Sequence, residues 1–206
     1  MRITAIIFCL LIYNAVAHFN TEAQVPTEDQ QLSAAVLAAP ENLRTDAKVL
    51  GYNQSGKLIT LREGTNNIIC VSDDPSDERF QVYCYHKSMD PYMARGRELR
   101  KQGVENAREI REKEAKNGTI SMPEQAAAFY SLNGGPDAYD YSTETLQNAK
   151  GLYVLYMPFA TVESTGFPTT PPVSGGPWLM REGQPSAHVM MPLPKSVGVK
   201  AEKNQD

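Results

Sequence analysis

Two strand-like segments, each carrying a cysteine, flank a stretch of turn residues, and this arrangement restricts the fold more than any other feature. Cys70 lies in the strand-like residues 67–71, and Cys84 lies in the strand-like residues 80–85. The intervening residues 72–77 (SDDPSD) are typical of a turn. A hairpin that turns near Asp77 would set the two sulfur atoms opposite each other.

The N-terminus predicts export. Arg2 precedes an apolar stretch, residues 3–16, that is too short to cross a bilayer but fits a secretory signal peptide. Ala15-Val16-Ala17 matches a signal-peptidase site, and Thr21-Glu22-Ala23 before Gln24 is a second possibility. We expect removal of residues 1–17, together with Cys9, and an exported, periplasmic or extracellular protein without a transmembrane anchor.

Export limits the chemistry of the two remaining cysteines. An oxidising compartment favours a disulfide between Cys70 and Cys84. Two alternatives stay open, namely a nucleophilic thiol with a partner such as His86 and a metal-binding cysteine pair.

Length and charge exclude some classes of protein. The chain has 206 residues and a formal net charge of -4, which fits one domain and gives no overall attraction for nucleic acid. The 41% hydrophobic content is that of a globular protein.

Patterning divides the remaining chain into three parts. Residues 18–45 predict a polar, loosely attached N-terminal arm with a short helix over residues 27–39. Residues 46–194 predict a single α+β domain, and residues 195–206 predict a disordered tail.

Within the domain, alternating apolar residues predict strands, whereas capping residues predict helices. The expected fold is an antiparallel sheet, made of a meander and a closing hairpin, with two inserted helices. The strands are expected at 48–52, 57–62, 67–71 and 80–85, then at 151–157, 178–180 and 187–191. The helices are expected at 90–116 and 121–132. Residues 167–177 are too rich in Pro and Gly for regular structure.

Several short motifs resemble those of one family. They are residues 61–66 (LREGTN), Cys70, Asp74-Pro75, Cys84, residues 174–180 (SGGPWLM) and residues 187–190 (AHVM). The chain resembles, over about residues 48–193, a family of exported bacterial proteins of uncharacterised function. The resemblance implies export and a paired Cys70 and Cys84, and it implies no activity.

Hydrolysis is one alternative function. A catalytic triad needs a nucleophile, a histidine and an orienting carboxylate. His86 or His188 with Ser174 and Asp73 or Asp74 would supply these groups, although no G-x-S-x-G motif is present.

Copper binding is a second alternative function. His188 and Met190 alternate on one face of a predicted strand, and imidazole and thioether are soft ligands suited to Cu(I). The spacing of the cysteines and histidines does not match a zinc site. We expect no cofactor.

A non-enzymatic binding or structural module is the function that we favour. Tyr83, Tyr85 and Trp178 fall on predicted strands, where outward-facing aromatic rings form contact surfaces. We expect these residues, with Arg62, to contact a small molecule, a glycan or a protein.

Overall fold

The computed structural model describes residues 25–193, which form a mixed α/β structure around one large sheet. The α-helices are α1 (Glu28–Ala35), α2 (Glu41–Arg44), α3 (Asp90–Lys101), α4 (Ala107–Lys116) and α5 (Val162–Thr165). The strands are β1 (Lys48–Tyr52), β2 (Leu58–Arg62), β3 (Ile68–Val71), β4 (Gln81–His86), β5 (Ala127–Asn133), β6 (Tyr139–Asp140), β7 (Thr145–Leu146), β8 (Lys150–Tyr156), β9 (Trp178–Met180) and β10 (His188–Pro192).

The expected signal peptide and the expected C-terminal tail both lie outside the described residues. Within residues 25–193, no helix has the length and apolar character needed to cross a membrane.

Eight strands form the main sheet, in the order β2-β1-β3-β4-β5-β8-β10-β9, and β6 and β7 form a separate small hairpin. Neighbouring strands of the main sheet run antiparallel except for β1 and β3. The α+β prediction is therefore confirmed, as is the closing hairpin, in which β9 pairs with β10.

The first three strands do not form the expected meander, because β3 pairs in parallel with β1 and not with β2. The chain leaves β2 and crosses the start of β1, where Thr65 N–H and Asn66 N–H both donate to Asp46 O. Gly64 permits this crossing, since a Cβ atom there would lie 2.2 Å from the backbone nitrogen of Lys48. Backbone contact at the crossing therefore places β1 inside the sheet and leaves β2 at its edge.

The helix expected at residues 121–132 is wrong, because residues 127–133 form β5. This strand pairs with β4 on one side and with β8 on the other. Alanine and the capping sequence at Ser121 favour a helix locally, whereas the aromatic pair Phe129-Tyr130 favours a strand. Pairing along both edges decides the outcome, since local propensity is weaker than tertiary contacts.

The sheet nevertheless carries two inserted helices, because the helix expected over residues 90–116 is divided. α3 ends near Gly103, which has a left-handed backbone with φ of 72°, as glycine allows after a helix. α4 then packs against α3. Gly96 leaves room for the Arg111 guanidinium, which a Cβ atom would approach to 2.5 Å.

The two faces of the sheet have different cover. The α3/α4 face, which carries Ile69, Val71 and Tyr85, packs against Met89 and Tyr92 of the helical segment.

The opposite face, here called the α1 face, carries Val49, Cys70, Val82 and Cys84. It packs against the alanines of the α1 segment, including Ala34. Residues 27–39 begin with a capping box at Thr27 and belong to the core, so this segment is not the loosely attached arm that we expected.

The predicted disulfide is confirmed. Cys70 and Cys84 are directly paired across β3 and β4 and are bonded to each other. Both are completely buried on the α1 face. Closing a loop of this size is worth about 3 kcal/mol of stability in the chain-entropy account, so the bond holds the β3–β4 hairpin in register beneath α1.

Candidate functional site

The two histidines of the described chain do not share a site. His86 ends β4 on the α1 face, and its Nδ1 atom lies 2.9 Å from Ser88 Oγ and accepts the Ser88 N–H. His188 begins β10 on the α3/α4 face. The pairing register places the two side chains on opposite faces of the sheet. Since β5 and β8 lie between the two strands, the strands are roughly 14 Å apart, at about 4.8 Å per strand.

His188 is held in a defined orientation. Its Nδ1 atom lies 2.7 Å from Ser186 O, so Nδ1 carries the proton and donates it to this carbonyl. Its ring stacks at a tilt on Tyr156, with 5.0 Å between the ring centres. Burial lowers the pKa of His188, and the nearby Arg181 lowers it further. The imidazole is thus neutral at pH 7, and its Nε2 atom carries a lone pair.

The candidates for a catalytic triad lie far apart in the sheet. Ser174 is exposed in the loop before β9. Asp73 and Asp74 follow β3, which β4, β5 and β8 separate from the strand of His188. The described residues therefore bring no serine, histidine and carboxylate of this set together.

Asp73 instead joins two parts of the fold. Its carboxylate accepts Gln81 N–H at 2.7 Å and the Tyr141 hydroxyl at 3.4 Å, which links the β3–β4 loop to the β6–β7 hairpin. Burial raises the pKa of Asp73 to about 6, and the two hydrogen bonds offset only part of this effect.

Two of the four predicted binding residues hold the structure together. Tyr85 is fully buried, and its hydroxyl donates to Asp90 at 2.8 Å and accepts from Arg97 at 2.9 Å. Arg62 donates to the carbonyl oxygens of Ala47 and Arg44 at 3.1 and 2.6 Å. The Tyr85 side chain is therefore closed to a ligand, whereas Arg62 is half-buried and its binding role stays a prediction.

The other two predicted binding residues are half-buried on the α3/α4 face. Tyr83 stacks between Tyr85 and Phe129. Trp178 lies on the edge strand β9, opposite Met190.

A hydrogen-bonded cluster forms around the part-buried Glu112 carboxylate where α4 meets the β9–β10 turn, and no short sequence motif predicts it. The Glu112 carboxylate accepts the Ser186 hydroxyl, Ser186 N–H at 3.4 Å, Tyr92 Oη–H at 3.3 Å and Arg181 Nη1–H at 3.3 Å. Ser186 is 2% exposed and its hydroxyl is occupied, so it is not placed to attack a substrate. We interpret the cluster as a clamp between α4 and the turn.

The part of the α3/α4 face formed by β8, β10 and β9 is only partly covered. We call this surface the open face. It consists of Leu152, Pro192, Met190, Trp178 and Met180, which are half-buried or, for Met180, 38% exposed. These five side chains lie outside the three packed clusters of the described core.

The register brings the side chains of the open face together. Met190 is directly opposite Trp178, Met180 is directly opposite His188, and Pro192 is directly opposite Leu152. Contiguous exposed apolar side chains of this kind mark interaction surfaces more often than scattered ones do.

Two clefts lie away from the open face. One, of about 330 Å³, is lined by residues 124–126, 157–160 and 164–165. The other, of about 490 Å³, lies within the exposed loop of residues 74–79. Neither cleft contains a histidine or the clamp around Glu112, so neither adds to the catalytic candidates.

Comparison with protein-family models, with curated proteins and with solved structures finds no match. Function is therefore inferred from the geometry of the site.

The clamp predicts a stability difference between two glutamates of α4. Glu112→Ala should lower the free energy of unfolding by about 2–4 kcal/mol, because it leaves buried donors without an acceptor. Glu109→Ala is the matched control, since Glu109 forms only an exposed pair with Arg108 and such pairs add little. Urea denaturation measures both variants, and equal stabilities would contradict the clamp.

The raised pKa of Asp73 predicts a pH dependence. The folded state holds the Asp73 proton more tightly than the unfolded state does, so this group destabilises the fold as pH rises from about 4 to about 6. Asp73→Asn, which is neutral throughout, should gain stability relative to the wild type over this range.

Thermal unfolding at several pH values measures the effect of Asp73→Asn. Asp77→Asn is the control, because hydrogen bonds from Arg79 lower the pKa of Asp77 and its effect should not grow above about pH 4. A stability difference between Asp73→Asn and the wild type that stays constant from pH 4 to pH 6 would refute the assignment.

Proposed function

We propose that the protein is an exported, non-enzymatic binding module that holds its ligand on the open face. The observation that carries the proposal is the surface itself, where Trp178, Met190 and Met180 lie side by side outside the packed core. Tryptophan and methionine supply a large apolar contact area, and methionine adapts its shape to a partner.

The shape of the open face favours a ligand with a flat apolar side. Its side chains stand on the surface of a sheet and do not line a deep pocket. A flat apolar surface of this kind suits a sugar ring or the surface of another protein. Polar groups lie at one end of the same face, where the register aligns Gln81, Asn133 and Lys150. These groups would hydrogen-bond to the rim of a ligand whose apolar side rests on Trp178.

Binding fits these residues better than hydrolysis does. Ser174, His188 and Asp74 are dispersed, and the one serine near His188, Ser186, is buried against Glu112. Binding requires only the exposed surface that the open face offers.

Export is part of the proposal, and two observations support it. The N-terminal residues have the pattern of a signal peptide, and a buried disulfide joins Cys70 to Cys84, as is usual for proteins of oxidising compartments. We infer a periplasmic or extracellular location.

The export proposal predicts the mass of the mature protein. Expressed with its own N-terminus in a bacterium, the chain should be recovered from the periplasm or medium beginning at His18. Its non-reduced mass should be lower by two hydrogens than that of the reduced chain. Intact-mass spectrometry measures both quantities, and a cytoplasmic, uncleaved chain with three alkylatable thiols would refute export.

The binding proposal predicts that the native protein takes up an apolar probe on the open face. The uncharged, polarity-sensitive dye prodan should bind the folded protein and quench the emission of Trp178, the single tryptophan. Met180→Lys should lower the emission of the bound dye by at least about half, because it places a charge in the apolar patch.

Val173→Lys is the matched control for Met180→Lys. Val173 is 68% exposed in the loop before β9, so its replacement should leave dye binding unchanged. Circular dichroism checks that each variant is folded. A native protein that binds no dye, or equal binding by both lysine variants, would count against the open face as the binding surface.

A further inference from the structure

One corner of the open face gathers three side chains with metal-binding chemistry. Met180 on β9 is directly opposite His188 on β10, and Met190 lies two residues further along β10. All three therefore project from the same face. Directly opposite residues have Cβ atoms about 5 Å apart and diagonal neighbours about 7–8 Å apart, within reach of long side chains.

The orientation of His188 suits a ligand to a metal. Its Nδ1–H donates to Ser186 O at 2.7 Å, which leaves the lone pair on Nε2. Metal-binding histidines commonly donate their other ring N–H to a carbonyl or carboxylate in this way, because the hydrogen bond fixes the tautomer and the ring orientation.

The donor set selects the class of metal. Two thioethers and one imidazole are soft or intermediate ligands, and they favour Cu(I) and similar soft monovalent ions. The Glu112 carboxylate beside Ser186 already accepts four hydrogen bonds. It is therefore unavailable as a hard oxygen ligand, which disfavours Mg²⁺ or Ca²⁺.

The surroundings of the site are compatible with a positive ion. The positive charge of Arg181 acts on His188, but its guanidinium pairs with Glu112 at 3.3 Å, which offsets part of that charge. Trp178 lies opposite Met190, and an indole face attracts a cation.

We propose that His188, Met180 and Met190 bind one soft monovalent metal ion, Cu(I) or Ag(I). The site shares Met180 and Met190 with the open face, but it does not depend on that face binding an apolar ligand.

Silver is the practical probe, because Ag(I) is stable in air and needs no reductant that would open the Cys70–Cys84 bond. The folded protein is titrated with silver nitrate in chloride-free buffer, with Trp178 emission and isothermal calorimetry as readouts. We expect one equivalent of Ag(I) to bind and to change the Trp178 emission.

Leucine variants test the ligands without removing the apolar surface. Met180→Leu and Met190→Leu should each weaken Ag(I) binding by at least about tenfold. Loss of a residue that only hydrogen-bonds to a metal ligand already lowers metal affinity by about that factor. Met191→Leu is the matched control. Met191 neighbours Met190 but packs on the opposite face, so its replacement should leave the affinity unchanged.

The outcomes separate the metal site from the proposed binding function. The double variant Met180→Leu/Met190→Leu should lose Ag(I) binding and keep dye binding, because leucine preserves the apolar face. Failure of the wild type to bind Ag(I), or equal Ag(I) affinity of the wild type and the double variant, would overturn the metal site alone. A wild-type protein that binds no dye would instead overturn the proposed function.

Discussion

The pairing of β5 with both β4 and β8 is the interaction on which the rest of the structure depends. Residues 127–133 join the N-terminal strands to the C-terminal strands, so that one continuous sheet of eight strands forms. Without β5, the Cys70–Cys84 hairpin and the β9–β10 hairpin would belong to separate, smaller sheets. Its seven-residue pairing with β8 also fixes which side chains share a face with His188 and Trp178.

A continuous sheet has two faces to bury, and residues 25–193 include few helices to cover them. α1 and the β6–β7 hairpin pack on one face, and α3 and α4 pack on part of the other. The Glu112 clamp ties α4 to the β9–β10 turn at the far end of the sheet. The open face is thus the area that remains after these helices are placed, and its apolar residues account for the proposed binding function.

Much of the fold could be predicted from local sequence patterns. The strands around Cys70 and Cys84, the strand of residues 150–156 and the closing hairpin all follow from apolar runs bounded by turn residues, and the structure confirms them. The β5 strand and the parallel pairing of β1 with β3 could not be predicted in this way. Both depend on which strands meet in space, and Gly64 reveals its role only once the crossing is known.

The same distinction applies to the site. Trp178, His188 and Met190 could be selected because they fall on a strand with suitable chemistry. Met180 becomes relevant only through its register with His188. Glu112 and Ser186 are 74 residues apart in sequence, and no short motif links them. The burial of Tyr85 and the pairing of Arg62 with backbone carbonyls are likewise tertiary effects, which the strand pattern does not predict.

The accessibility of Trp178 to solvent tests the central claim most directly. Because it is the single tryptophan, acrylamide quenching of its emission in the native protein reports on the open face alone. An open face predicts a quenching constant that is a substantial fraction of the value for free tryptophan and that falls when a ligand binds. A quenching constant near zero, as for a fully buried indole, would contradict the account.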